Sequence, residues 1–183
     1  MAINKRNEIE NFIYSTREKL NGDLGSYVSA ADQELLLQLM QNMEDWLYSG
    51  DENVYVKSIL EEKGKPLNDI GTVIYKRYHD WERLKESLFK LGRSLNEIVQ
   101  KSNNASLSVN LNQTDKEEIT KLLTDHSNLL NQLENQVNTL AKVSDPPQRW
   151  EDVDKKTTEL DKVILNLYYF RELIKFIQML IKG

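Results

Sequence analysis

The chain has 183 residues, 39% of them apolar and 29% charged, with a net charge of −5 and a pI near 5.2. That is enough to build a core beneath a solvated exterior, while seven glycines and three prolines are too few for a turn-rich β protein or a disordered linker, so long helices are expected. No cluster of Lys and Arg offers a footprint for phosphate backbones, which speaks against nucleic acid as a partner, and the absence of cysteine excludes disulfides, thiol nucleophiles and thiolate metal sites.

Met1 to Arg6 lack the apolar run of a signal peptide, and the chain reads as a fragment of a larger protein. From Asn7 to Leu20 the residues Ile9, Phe12, Ile13 and Leu20, with Thr16 between them, recur at helical spacing, and Asn21-Gly22-Asp23 stops that helix. Ser29 and Asp32 have the spacing of a capping box ahead of Leu36, Leu39, Met40, Met43, Trp46 and Leu47, with Gly50 at the far end. A shorter third helix is predicted around Val54, Tyr55, Ile59 and Leu60. Gly64 followed by Pro66 has the chemistry of a helix stop and marks the expected subdomain boundary.

Beyond it, Ile70, Ile74, Arg77, Trp81, Leu84, Leu88, Leu91, Leu95 and Ile98 alternate in steps of four and three, a bundle seam interrupted only by Arg77. At 1.5 Å per residue such a helix spans roughly 50 Å and needs partners of similar length. The sequence offers two. Thr114 and Glu117 form a capping box before Ile119, Leu122, Leu129, Leu133, Val137 and Leu140, and Asp145-Pro146-Pro147 forces a turn. A last helix from Trp150 sets Val153, Leu160, Val163, Leu167, Phe170, Ile174, Ile177 and Ile181 inward. The expected fold is all-α: three short helices over residues 1–63, then a bundle of three long antiparallel helices over 64–183.

Catalytic chemistry finds little purchase. The histidines are His79 and His126, neither preceded by Glu at the spacing of a di-iron bundle, and no phosphate-cradling glycine loop or nucleophile elbow occurs. His126 reads as a hydrogen-bonded boundary histidine and His79 as solvent-facing. Glu117-Glu118 and Glu151-Asp152 oppose the positive ends of helix dipoles. No catalytic, cofactor-binding or metal-ligating residue is assigned, and the chain is expected not to be an enzyme.

Two Asn-x-Ser/Thr glycosylation acceptors, Asn104 and Asn112, fall in the one extended polar loop, Ser102 to Gln113. The final helix carries more apolar surface than one seam can bury, fourteen of nineteen residues between Val163 and Ile181. Leu165, Tyr168, Tyr169, Leu173, Phe176 and Leu180 are left for other faces. Asn166, Arg171, Glu172, Lys175 and Gln178 interrupt the run and argue against a membrane span. Either the upstream helices cover this surplus, or it meets unfolded clients or a partner protein.

Asn7-Glu8-Ile9-Glu10-Asn11-Phe12-Ile13-Tyr14 and Arg17-Glu18-Lys19-Leu20, then Asp45-Trp46-Leu47-Tyr48, Gly50-Asp51, Tyr55, Leu60 and the connector Gly64 to Leu67, resemble the lid-helix signature of heat-shock 70-kilodalton chaperones and their large relatives. Leu91-Gly92-Arg93-Ser94-Leu95, Asp145-Pro146 and Asp152-Val153-Asp154-Lys155 are similar to the longer 110-kilodalton and endoplasmic-reticulum 170-kilodalton classes. Leu84 departs from them, at a place where the large relatives usually carry proline after Arg. The resemblance implies a lid-type first subdomain within the C-terminal helical module of a chaperone that holds unfolded polypeptides. In the parent protein it implies ATP bound by an absent N-terminal domain, and nucleotide exchange on the ATPase domain of a conventional heat-shock-70 partner. Asn104, Asn112 and the lack of cysteine point to the endoplasmic reticulum lumen, with the cytoplasm as alternative. The competing reading is a spectrin-like structural spacer without client affinity.

Overall fold

The first apolar stripe folds as helix α1, Ala2–Leu20, in a computed structural model that describes residues 2–102 and 113–182, with the side chains of 102, 115, 164, 167–176, 178 and 180–182 outside the description. The described residues form helices and turns and no strand. Ile9, Ile13, Thr16 and Leu20 are the buried face of α1, at the spacing their sequence positions require. The helix closes where Leu24 N–H donates to the Lys19 carbonyl at 3.0 Å.

Helix α2, Ala30–Leu47, starts as expected: the Ser29 hydroxyl accepts from Asp32 N–H at 3.1 Å. Leu36, Met40, Met43 and Leu47 are buried, and Leu39 and Trp46 pack against them. Gly50 follows with φ of 82°, a left-handed conformation that suits a residue without a β-carbon. The separate short helix expected around Val54, Tyr55, Ile59 and Leu60 does not form: Val54 and Tyr55 fall in a 3-10 turn, Glu52–Tyr55, and Ile59 and Leu60 open the long helix α3, Lys57–Ser102.

Here the helix stop expected at Gly64–Pro66 is absent. Helix α3 runs through both residues, with Pro66 in its interior. An interior proline costs about 3 kcal/mol through its missing N–H and its clash with the preceding turn. Burial of Leu60 and Leu67, on either side of it, contributes about 1.5–3 kcal/mol for each side chain and outweighs that loss. A β-carbon at Gly71 would lie 2.5 Å from Phe12 Cζ, so glycine there lets the α1 aromatic reach the α3 backbone.

The chain divides into two compact units, Met1–Trp81 with Ala141–Asp145, and Glu82–Leu140 with Pro146–Gly183. The core of the first comprises the buried faces of α1 and α2 together with Leu24, Val28, Leu60, Leu67 and Ile74. Arg77, the break in the sequence seam, donates to the Tyr27 carbonyl at 3.1 Å and lies 3.9 Å from Asp145. Trp81 is fully buried, and its indole N–H donates to the Ser144 carbonyl at 2.8 Å.

The second unit holds the end of α3 with helices α4, Gln113–Thr139, and α5, Trp150–Lys182. Leu84, Leu88, Leu91, Leu95 and Ile98 are buried on α3, Leu133 and Val137 on α4, and Val153 and Leu160 on α5. Neighbouring helices in the chain are antiparallel, so the first and third run alike: Arg83 lies over Trp150, Lys90 near Asp154, and Ser94 against Asp161. Leu130 of α4 packs over Gly92.

Three details differ from expectation. Gln113 and Thr114 are both helical, so Thr114 does not cap α4, and Gln113 Nε2 donates to Glu117 Oε1 at 2.8 Å. Leu140 falls beyond the last helical residue and is exposed, while Ile119, Leu122 and Leu129 are half-buried. Ile177, assigned to the inward seam, is exposed. Leu167, Phe170, Ile174 and Ile181 have side chains outside the described residues.

Pro66 is exposed, so alanine there removes little packing while restoring a backbone donor. Pro66→Ala is expected to stabilise the chain by about 2 kcal/mol, the gain in the helix reduced by the looser unfolded chain. Chemical denaturation followed by circular dichroism checks this; an unchanged or lower midpoint would show that the proline is accommodated without cost.

Candidate interaction surface

Helix α5 begins with a well-anchored turn. Gln148 Nε2 donates to Asp152 Oδ2 at 3.0 Å, and Glu151 and Asp152 sit in the first turn, where carboxylates favourably oppose the helix dipole. Val153, Thr157 and Leu160 form its buried face at steps of four and three. Thr157 satisfies its hydroxyl by donating to the Val153 carbonyl at 3.0 Å. From there on, the helix carries apolar residues on several sides.

Of the predicted contact residues, the structure describes the side chain of Leu165, which is 52% exposed. Tyr168, Tyr169, Leu173, Phe176 and Leu180 lie on the described helix backbone with side chains outside the described residues. Two apolar side chains not counted among the contacts are exposed on the same helix, Ile177 at 45% and Met179 at 63%. Ile177 continues the three-and-four steps of the seam, so its spacing alone points inward. Met179 carried no comparable signal beyond its place in an apolar run. Asn104 and Asn112 lie outside the described residues.

Beside Leu165, an open cleft of about 520 Å³ lies between α3 and α5 within the second unit. Ser94 Oγ donates to Asp161 Oδ1 across it at 2.7 Å, and Lys101 pairs with Glu97 at 2.7 Å on one wall. A second cleft, of about 400 Å³, lies in the first unit over Ile9, Phe12, Leu60 and Leu67, with Lys5, Glu8, Glu61 and Lys65 around it. Its charges are balanced.

The residues of the lid-like signature make a tightly bonded turn. Trp46 Nε1 donates to Asp51 Oδ2 at 3.0 Å, and Asp51 Oδ1 accepts from Asn53 N–H at 2.9 Å. These bonds, the Asn53 backbone N–H first and the indole second, hold the Asp51 carboxyl below its ordinary value. Arg6 lies 5.5 Å from the Tyr48 ring centroid and 5.6 Å from that of Tyr55, and pairs with Glu10 at 3.1 Å. The Tyr48 hydroxyl lies 3.3 Å from that of Tyr14; that hydrogen bond, followed by burial and Glu10, pushes its pKa up to about 12. Glu44 is held below its usual range chiefly by the hydrogen bond from Arg17, 2.7 Å away.

The histidines build no site with these groups. His126 Nδ1 lies 2.8 Å from the Leu122 carbonyl, and His79 is exposed with its ring near Tyr75 and Tyr78. Among the described residues no group of three His, Cys, Asp or Glu side chains could hold a metal ion, and no helix is long and apolar enough to cross a membrane.

No family model and no solved structure matches the chain. Among curated proteins it is similar to Heat shock 70 kDa protein 4L of Homo sapiens, 25% identical over 169 residues that make up 90% of this chain and 20% of that protein. It is also similar to Heat shock 70 kDa protein 15 of Arabidopsis thaliana, 24% identical over 159 residues, 86% of this chain and 19% of the relative. Heat shock protein 88 of Dictyostelium discoideum is 36% identical over 78 residues, 43% of this chain and 10% of its own length. The chain thus spans 20% or less of the length of these relatives.

The Asp51 bonds predict a pH dependence. A depressed carboxyl contributes stability that is present above the ordinary value of 3.8 and lost as pH falls through the lower folded value. Asp51→Asn, which leaves the indole N–H without an anionic acceptor, should lower the melting temperature near neutral pH. The gap to wild type should close below pH 3.8. A gap constant across that range, in thermal melts followed by circular dichroism, would remove Asp51 from the linkage.

Proposed function

Since the chain is a relative of the large heat-shock-70-like proteins, we propose that it is a chaperone's helical interaction module, holding unfolded polypeptides on the apolar surplus of α5. The observation that carries this reading is the exposure of Leu165, Ile177 and Met179 on a helix whose buried side chains, among the described residues, are Val153, Thr157 and Leu160. An exposed, multi-sided apolar helix end favours chain segments over small molecules, because it offers area without enclosure. Leu165, Tyr168, Tyr169, Leu173, Phe176 and Leu180 are the proposed contacts.

In the same reading the module belongs to a longer parent that binds ATP through another domain and serves as nucleotide-exchange factor for a conventional heat-shock-70 partner. The chain itself is then a binding element with neither cofactor nor catalytic residue. The acceptors at Asn104 and Asn112, with no cysteine in the chain, favour the endoplasmic reticulum lumen; the cytoplasm is the alternative.

Wild-type chain is expected to suppress the aggregation of a chemically denatured client, measured by light scattering. Leu165→Ser combined with Tyr169→Ser and Phe176→Ser should abolish most of that suppression while circular dichroism stays helical. Unchanged suppression by the folded triple variant would discard the site, and no suppression by wild type would leave the structural spacer. Peptide N-glycosidase treatment of the chain from eukaryotic cells should increase its gel mobility; an unshifted band would place it outside the lumen.

A further inference from the structure

We infer that the cleft between α3 and α5 is a docking groove for an extended polypeptide segment in which acidic and apolar residues alternate. Three cations, Lys90, Arg93 and Lys101, stand on the α3 side, facing Thr157, Asp161 and Leu165 of α5. Glu97 and Asp161 line the cleft with them and Asp154 lies beside Lys90, so the charges balance in number and recognition falls to the cation left without an ion pair. The inference rests on the client-holding reading and names the chemistry of the segment held.

The cations are not equally committed. Lys101 pairs with Glu97 at 2.7 Å, and Lys90 lies 3.9 Å from Asp154, at the outer limit of an ion pair. Among the described residues Arg93 forms no ion pair, and it is exposed. A guanidinium presents a planar fork of donors that matches a carboxylate with two parallel hydrogen bonds, which makes Arg93 the point of recognition. Leu165, 52% exposed at the same cleft, supplies the apolar contact beside it.

The shape selects a polypeptide. From Lys90 to Lys101 the α3 wall rises about 16 Å, the span of about five residues of extended chain. Glu97 and Asp161 repel the continuous negative charge of a phosphate backbone, whereas a polypeptide can offer carboxylates to the cations and backbone N–H groups to the acids. Ser94 donates to one oxygen of Asp161 and leaves the other open to accept such a donor.

The test titrates the whole 183-residue chain into three labelled peptides, alternating Leu with Asp, Ser or Lys, and reads fluorescence anisotropy. The acidic peptide should bind about tenfold more tightly than the basic one and weaken as salt rises, and Arg93→Glu should lower its affinity about tenfold. Arg93→Lys should keep the preference in part, and Leu165→Ser should weaken all three peptides alike. Circular dichroism confirms the fold of each variant. Equal affinities for the acidic and basic peptides, or no change with Arg93→Glu, overturns the groove. So does a wild-type dimer in sedimentation that Arg93→Glu dissolves, which gives the cleft to a second copy. Loss of the acidic preference with aggregation suppression intact removes the groove and leaves the chaperone reading. An acidic peptide held by a chain that suppresses no aggregation supports the groove and removes that reading.

Discussion

Helix α3 depends on buried leucines outweighing a proline. Pro66 should end a helix, and in isolation Lys57–Ser102 would break there, because one missing donor and one steric clash together cost about 3 kcal/mol. Leu60 and Leu67 reach the same core from the turns on either side of Pro66, and Ile74 continues the face. Only an unbroken helix keeps all three in register. Its continuity gives one helix to the cores of both compact units, carrying Ile74 and Trp81 in the first and Leu84 to Ile98 in the second.

Charge plays a different part. Ion pairs such as Lys5–Glu8, Lys57–Glu61 and Arg83–Glu86 are exposed neighbours on single helices, each worth a few tenths of a kcal/mol and screened by salt. Polar side chains count for more where they tie separate elements together. Arg77 reaches the Tyr27 carbonyl, Trp81 the Ser144 carbonyl and Trp46 the Asp51 carboxylate. Each fixes a turn whose backbone or carboxylate would otherwise have needed water.

Most elements could be read from periodicity because each helix buries one face, but the short third helix expected around Val54, Tyr55, Ile59 and Leu60 is instead a 3-10 turn and the start of α3. The stripes of α1 and α2, the Ser29 cap and the seam from Ile74 to Ile98 appear where the spacing put them, apart from Arg77, whose turn partners are distant in sequence. Local rules failed where distant contacts decide. Gly64-Pro66 has the chemistry of a stop, yet the neighbours that overrule it come largely from α1 and α2. The start of α4 was misplaced because Thr114 and Glu117 satisfy a capping pattern that Gln113, already helical, makes redundant. For the interaction surface, composition singled out α5, but no period separates Leu165 from Ile177 when apolar residues occupy most sides of the helix.

A helix that is apolar all round is ordinarily internal to a larger assembly of helices, whereas α5 leaves apolar side chains exposed beyond its buried first turns. The seam of α3 and Leu133 and Val137 of α4 are buried, as are Val153, Thr157 and Leu160. Beyond them Leu165, Ile177 and Met179 stand in water. Burying those three side chains would contribute about 1.5–3 kcal/mol for each one fully enclosed, enough for weak association but not, alone, for a choice among partners. Discrimination has to come from charge at the margin of the apolar surface, where a wrong sign is penalised and a right one is fixed in register. Arg93, exposed and without an ion pair among the described residues, is placed at the cleft beside Leu165 to supply it.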